Sequence, residues 1–243
     1  MLRFTRHGTR EMLIGSVVLA VVAVGLGLAW WPLALVIVPV LAWLFAFFRD
    51  PEREIPLEQN TMVSPADGKV SDITEVEHDE LLGGPAVRVG IFLSVFNVHV
   101  NRSPCDCKVL KVEHKSGRFI NALRHDQASE QNEAKTVVLA EPTSGRAVAV
   151  VKLIVGMIAR RIIFTPQVGE VLSRGQRIGM IKFGSRTELS IAKWLEPEVR
   201  VTVGDNVRGG ADVIAVLKNP LHTVVKQVDD EEFEPLVGRE TPA

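Results

Sequence analysis

The chain has 243 residues, 47% of them hydrophobic and 23% charged, which allows one sizeable domain or two small ones. Its formal net charge of -1 excludes a globally basic nucleic-acid-binding surface. Two cysteines, Cys105 and Cys107, stand in a C-x-C spacing without further cysteines to complete a zinc site. They read as reduced structural thiols, and no metal site is expected.

From Met12 to Phe48 there is not one Asp, Glu, Lys, Arg or His. That stretch is nearly twice the length of about 20 residues that a single membrane span needs. Trp30-Trp31-Pro32 breaks it near its middle. Proline ends or kinks a helix, and tryptophan favours the bilayer interface. The pattern predicts two apolar helices over 12–30 and 33–48, folded as a hairpin. The second carries Pro39 and would reach about 24 Å, less than the ~30 Å hydrocarbon core. A secretory signal has a shorter apolar core, and no second apolar segment follows it at once. Arg3, Arg6 and Arg10 precede the hairpin, and Arg49 and Arg53 follow it. The positive-inside rule then places both ends, and the domain after them, on the cytoplasmic face of the cell membrane. The expected organisation is a membrane-anchoring hairpin over 1–54, a β-rich domain over 55–225, and an acidic, frayed tail over 226–243.

After Pro56, short runs rich in Val and Ile alternate with Gly, Pro, Asn and Asp turns. Strands are predicted over 70–76, 86–95, 98–100, 109–114, 136–140 and 147–156. The polar stretch 121–135 is left between a short helix and a loop. An internal repeat follows, in which 168–178 aligns without gaps on 203–213. Gly169 matches Gly204, Gly175 matches Gly210, Leu172 matches Val207 and Ile181 matches Val216. Each copy reads as a turn, a short strand, a glycine turn and a second strand. The pattern resembles the two interlocked halves of a lipoyl/biotinyl-type β-sandwich, so the fold class expected is mainly β with such repeat halves after the helical hairpin. A carrier domain of that type needs a lysine at a hairpin tip. Between the two copies stands Phe183-Gly184-Ser185-Arg186, with Lys182 two residues before Gly184.

Three segments carry the chemistry: 65–70 (Pro-Ala-Asp-Gly-Lys-Val), 96–104 (Phe-Asn-Val-His-Val-Asn-Arg-Ser-Pro) and 182–186 (Lys-Phe-Gly-Ser-Arg). Each alone is weak: Asp67 before Gly68 suits a turn, a lone His99 between valines suits a structural histidine, and Ser185 suits a hairpin tip. In this order, after an apolar start, they resemble the short-chain phosphatidylserine decarboxylases from about residue 10 to 220. The resemblance implies a proenzyme that cuts itself between Gly184 and Ser185 and converts Ser185 into a pyruvoyl cofactor. It implies Ser185 Oγ as nucleophile, His99 as the base that takes its proton, and Asp67 as the carboxylate that orients the imidazole. Attack on the Gly184 carbonyl carbon turns the amide into an ester. β-Elimination then releases Gly184 as a carboxylate and leaves dehydroalanine, and hydration with loss of ammonia gives the pyruvoyl group. The products would be a β chain, 1–184, and an α chain, 185–243, held together as a heterodimer. A higher oligomer is compatible with that reading.

The implied reaction is decarboxylation of phosphatidylserine to phosphatidylethanolamine at the membrane, with the phospholipid and no nucleic acid as partner. Arg102, Lys182 and Arg186 are candidates for holding the lipid phosphate or carboxylate, against solvated surface charge. Longer members of the family carry a second histidine three residues before the one matching His99; here that residue is Phe96, so no role of that histidine transfers. The rival readings are a relative acting on archaetidylserine, a soluble pyruvoyl amino-acid decarboxylase and a membrane-anchored lipoyl-like scaffold without activity. The first shares every residue named above, the second has no use for a hairpin, and the third predicts one intact chain.

Overall fold

The computed structural model describes residues 3–117, 129, 131–156, 161–182 and 185–221. Phe183, Gly184, most of 121–135 and the tail 226–243 lie outside the described residues.

Helix α1 spans Thr9–Ala29. Trp30 then leaves the helical region at φ -165° and ψ 109°, so the break predicted at the Trp-Trp-Pro step is real. A single turn, α2 (Trp31–Ala34), and α3 (Ile37–Phe47) return toward the start. Pro32 and Pro39 both sit in first turns, where the missing amide has no intrahelical partner to lose. Gly15 lets the two arms close, since a Cβ there would stand 2.8 Å from Leu44 Cδ2. At the open end Thr5 N–H donates to Phe48 O at 2.9 Å and Asp50 N–H to Arg3 O at 2.8 Å. Residues 6–29 form one continuous helical stretch long and apolar enough to cross a membrane, and none of its apolar window is buried against protein.

The remainder is mainly β, built round a curled sheet. Its strands are β1 (Thr61–Val63), β2 (Gly68–Asp79), β3 (Gly84–Leu93), β4 (Val100–Arg102), β5 (Cys107–Lys115), β6 (Ala134–Ala140) and β7 (Ala147–Val155). They continue with β8 (Ile162–Phe164), β9 (Val171–Leu172), β10 (Arg177–Ile181), β11 (Ser185–Ala192), β12 (Pro197–Val199), β13 (Asn206–Val207) and β14 (Val213–Leu217). Eight form one antiparallel sheet in the order β13-β2-β3-β11-β7-β6-β5-β9, flanked by the triplets β1-β14-β12 and β4-β10-β8. All six strands expected from the Val/Ile runs are present within a few residues. The core gathers Val89, Ile91, Val151, Leu153, Leu189 and Ile191 from the central strands with Leu172, Ile178, Val207 and Ile214 from the repeat. Cys105 and Cys107 are buried there as free thiols.

The two copies of the repeat share their short strands and the conformation of four glycines. Strand β9 corresponds to β13 and β10 to β14, and Gly169, Gly204, Gly175 and Gly210 all have positive φ, at 93°, 105°, 75° and 78°. A side chain at such a φ is strained even where space is free. Around Gly169 it is free, and around Gly204 only Lys69 Cε comes within 4.0 Å. Gly169→Ala and Gly204→Ala should therefore cost the same, about 1 kcal/mol each or about 2–4 °C in Tm. Thermal melts in detergent check this; unequal losses would mean that the copies are not mechanically equivalent.

Candidate active site

Ser185 is the first residue of β11, and every residue of that strand is buried. Its strand neighbours are Leu93 on β3 and Val155 on β7. It therefore lies inside the central sheet, where the local Gly-Ser signal had suggested a hairpin tip. Alternation sends Ser185, Thr187, Leu189 and Ile191 to one face, which continues into the apolar core. Arg186 and Glu188 take the other face.

His99 precedes β4 and is fully buried. Two links bring its surroundings to those of Ser185. Ile181 N–H, four residues before Ser185, donates to His99 O at 3.2 Å. Asn101, two residues after His99, donates from Nδ2 to Thr187 Oγ1, two residues after Ser185, at 3.0 Å. Among the described residues, His99 Nε2, Asn101 Oδ1 and Ser185 Oγ are buried polar atoms without a hydrogen-bond partner. Such atoms cost about 1–3 kcal/mol each when left unpaired. Arg88 Nε and Arg174 Nε are in the same condition, and each such atom calls for a physical explanation.

The tautomer of His99 follows from its one partner. Nδ1 faces Asn97 O at 3.0 Å, and a carbonyl only accepts, so Nδ1 carries the proton and Nε2 keeps its lone pair. The Phe47 ring lies against the imidazole, with centroids 4.3 Å apart and planes inclined by 35°. Burial pushes the His99 pKa down to about 4, with Arg49 adding to the effect and the Asn97 bond opposing it. The imidazole is thus neutral at pH 7, as a proton acceptor must be.

Asp67 does not occupy the place expected of it. Its carboxylate accepts from Arg53 Nη2 at 2.6 Å and from Gly209 N–H at 2.7 Å, and the imidazole is oriented by the Asn97 carbonyl instead. Burial raises the Asp67 pKa against the pull of Arg53 and the Gly209 amide. The neighbouring Pro65 O accepts Arg102 N–H at 2.9 Å and Asn101 Nδ2 at 3.4 Å, so this turn holds β4 in place.

The three cations considered for the lipid headgroup are all engaged within the protein. Arg102 binds Asp50, Pro51 O and Gly175 O. Lys182 is buried and paired to Glu11 of α1 at 2.6 Å. Arg186 is buried among Ser71, Asp72 and Glu188. Sequence reasoning assigned no role to Phe47, Asn97 or Asn101. The two asparagines lie within the 96–104 segment, flanking the histidine, whereas nothing near Phe47 in sequence announces its contact.

The structure thus shows a mainly β domain with a buried serine at the head of a central strand and a buried histidine whose chain is linked, through Ile181 and Asn101, to residues on either side of that serine. A model of the phosphatidylserine decarboxylase family matches residues 40–215. Proteins described as phosphatidylserine decarboxylase proenzymes are similar over most of their length. The one from Rhodopirellula baltica is 45% identical over 88% of this chain and 88% of its own. That from Syntrophus aciditrophicus is 46% identical over 72% and 80%, and that from Neisseria meningitidis serogroup B is 41% identical over 85% and 74%. The chain belongs to the phosphatidylserine decarboxylase family.

The depressed His99 pKa fixes a sign for stability. Between pH 6.5 and about 4 the unfolded chain binds a proton at this residue that the folded chain refuses. Stability should fall as pH drops through that window, by up to about 1.4 kcal/mol per pH unit. Chemical denaturation of Ser185→Ala and of Ser185→Ala/His99→Asn at several pH values measures the difference; equal pH slopes would contradict it. In the Ser185→Ala background, Phe47→Ala should move the His99 pKa up toward 6.5, read from the imidazole resonance by NMR.

Proposed function

We propose that this chain is a proenzyme that cleaves itself between Gly184 and Ser185 and then decarboxylates phosphatidylserine to phosphatidylethanolamine. Family membership supports the reaction, and the pair of buried, unpaired atoms at His99 Nε2 and Ser185 Oγ is the observation that carries the site. Neutral His99 takes the Ser185 proton through Nε2, while the Asn97 carbonyl holds Nδ1–H and stabilises the imidazolium that forms. The freed Oγ attacks the Gly184 carbonyl carbon. Asp67 acts at one remove, by tying Arg53 and the Gly209 amide to the turn whose Pro65 carbonyl holds β4.

A pyruvoyl group in place of Ser185 fits this setting, since the position is buried at the start of a strand and its hydroxyl has no hydrogen-bond partner to lose. The group supplies a carbonyl that takes the substrate amine and accepts electrons as carbon dioxide leaves. His99, once protonated, can return a proton to the substrate carbon. The mostly apolar walls from Phe47, Val98 and Val100 exclude water from that step.

After cleavage the α chain keeps its place through pairing with the β chain. Strand β11 lies between β3 and β7, β13 pairs with β2, and β14 pairs with β1. The hairpin provides the membrane anchor. The exposed side chains of Leu13, Val17, Val21, Val24 and Leu28 form an apolar surface that water does not favour and lipid does. The flanking arginines support an orientation with the domain on the cytoplasmic face, by the positive-inside rule. The matching φ angles of the two repeat copies support the reading of a lipoyl/biotinyl-like sandwich.

Intact mass spectrometry of the detergent-purified chain tests the proposal. Wild type should appear as two chains, 1–184 and 185–243, the second beginning with pyruvoyl, while Ser185→Ala stays whole near 26.7 kDa. His99→Ala should slow the cut by about 100-fold or more. A folded wild type that remains one chain would reject the proenzyme and favour a scaffold.

A further inference from the structure

We propose that Arg186 is a positioning residue: its buried guanidinium ties the new α-chain terminus to β2 of the β chain and so holds the reactive carbonyl at residue 185 after the backbone is cut. This inference rests on the cleavage reading above.

The geometry is specific. Arg186 Nε donates to Glu188 Oε1 at 2.9 Å, Nη1 to Ser71 Oγ at 2.5 Å, and Nη2 to Asp72 Oδ1 and Oδ2 at 2.7 and 2.9 Å. Ser71 and Asp72 are consecutive, and consecutive strand residues ordinarily face opposite ways. Here the β2–β3 register shifts between Val70 and Asp72. Such a bulge re-aims side chains, and both residues reach the same guanidinium. The path between β11 and β2 crosses β3 at Gly90, where a Cβ would stand 2.1 Å from Arg186 Nη2 and 2.5 Å from Asp72 Oδ1. Glycine at this position is therefore a requirement of the bridge. On the far side Glu188 accepts from Ser129 Oγ at 2.8 Å, and Lys152 Nζ donates to Ser129 O at 2.8 Å.

Cutting before Ser185 makes residue 185 a chain end, and chain ends fray unless tied down. Its neighbours Leu93 and Val155 supply strand pairing but no side-chain hold. Arg186 is the next residue, and its contacts at Ser71 and Asp72 belong to the other product chain. A buried ion network is a poor source of net stability compared with apolar packing, but it fixes one arrangement of the groups it joins. A fork with several charge-assisted bonds does so better than a lysine could.

The test uses the full chain in detergent with phosphatidylserine in mixed micelles. In Arg186→Lys, Asp72→Asn and Gly90→Ala, the cut at 184/185 should still go to completion by intact mass. Decarboxylation kcat should fall by on the order of 100-fold, the scale of a misplaced reacting group, with KM within about two-fold of wild type. Arg186→Lys should keep more activity than Arg186→Met/Glu188→Gln. Proteolysis or hydrogen exchange at the start of the α chain should rise in every variant. Wild-type kcat in a fully cleaved variant would overturn the inference, as would a well-folded variant that fails to cut, since the bridge would then serve formation of the site. Where Arg186→Met/Glu188→Gln does not fold, Asp72→Asn, at the more exposed end of the bridge, decides. A wild type that never cuts sinks the cleavage reading itself, a result distinct from any of these.

Discussion

Strand β11 is hydrogen-bonded along both edges, to β3 from Leu93 to Ala86 and to β7 from Val155 to Ala149. The rest of the molecule depends on this double pairing. It places Ser185 at the head of a strand that no solvent reaches on either face. It also means that a cut in front of that strand removes one covalent bond and leaves the sheet ladder whole. The proposed cleavage inside the core would need this arrangement, because the fragments could not otherwise hold a buried site together.

The hairpin is part of the same construction. Phe47 and Phe48 pack with Met180 of β10, Phe47 also faces His99, and Glu11 pairs with Lys182, three residues before Ser185. The end of the hairpin that meets the β domain thus covers His99. Desolvation there keeps the imidazole neutral, and Arg49 adds to it from the end of α3. Arg49 also donates to Ala46 O and to Phe96 O, both at 2.7 Å, linking the last turn of α3 to the loop before His99. Docking of the hairpin and desolvation of His99 share the same few residues.

The strands from β2 to β7 were legible because Val and Ile runs between turn residues fit a pleated, half-buried surface and little else. The hairpin was legible from the absence of charge and a single Trp-Trp-Pro break. The repeat was legible because positive φ favours glycine, and four glycines recur in register. Strand β11 was missed. Its sequence, Ser-Arg-Thr-Glu-Leu-Ser-Ile-Ala, has charges on one face that propensity reads as solvated, whereas the fold buries them against Ser71, Asp72, Ser129 and Lys152. The same long-range pairing explains why Arg186 looked available to a lipid and is not.

By itself the sequence determined the family, through a resemblance carried by three short segments, together with the apolar hairpin and the Val/Ile-rich strands from β2 to β7. The hairpin and those strands follow from local composition and spacing. The tertiary structure alone decided the partners: Asn97 in place of Asp67 on the imidazole, Phe47 over its ring, Gly90 making room for the Arg186 bridge. Those are contacts between residues far apart in the chain, or choices between competing acceptors. They are settled by which groups the fold desolvates together, a property that no single stretch of sequence carries.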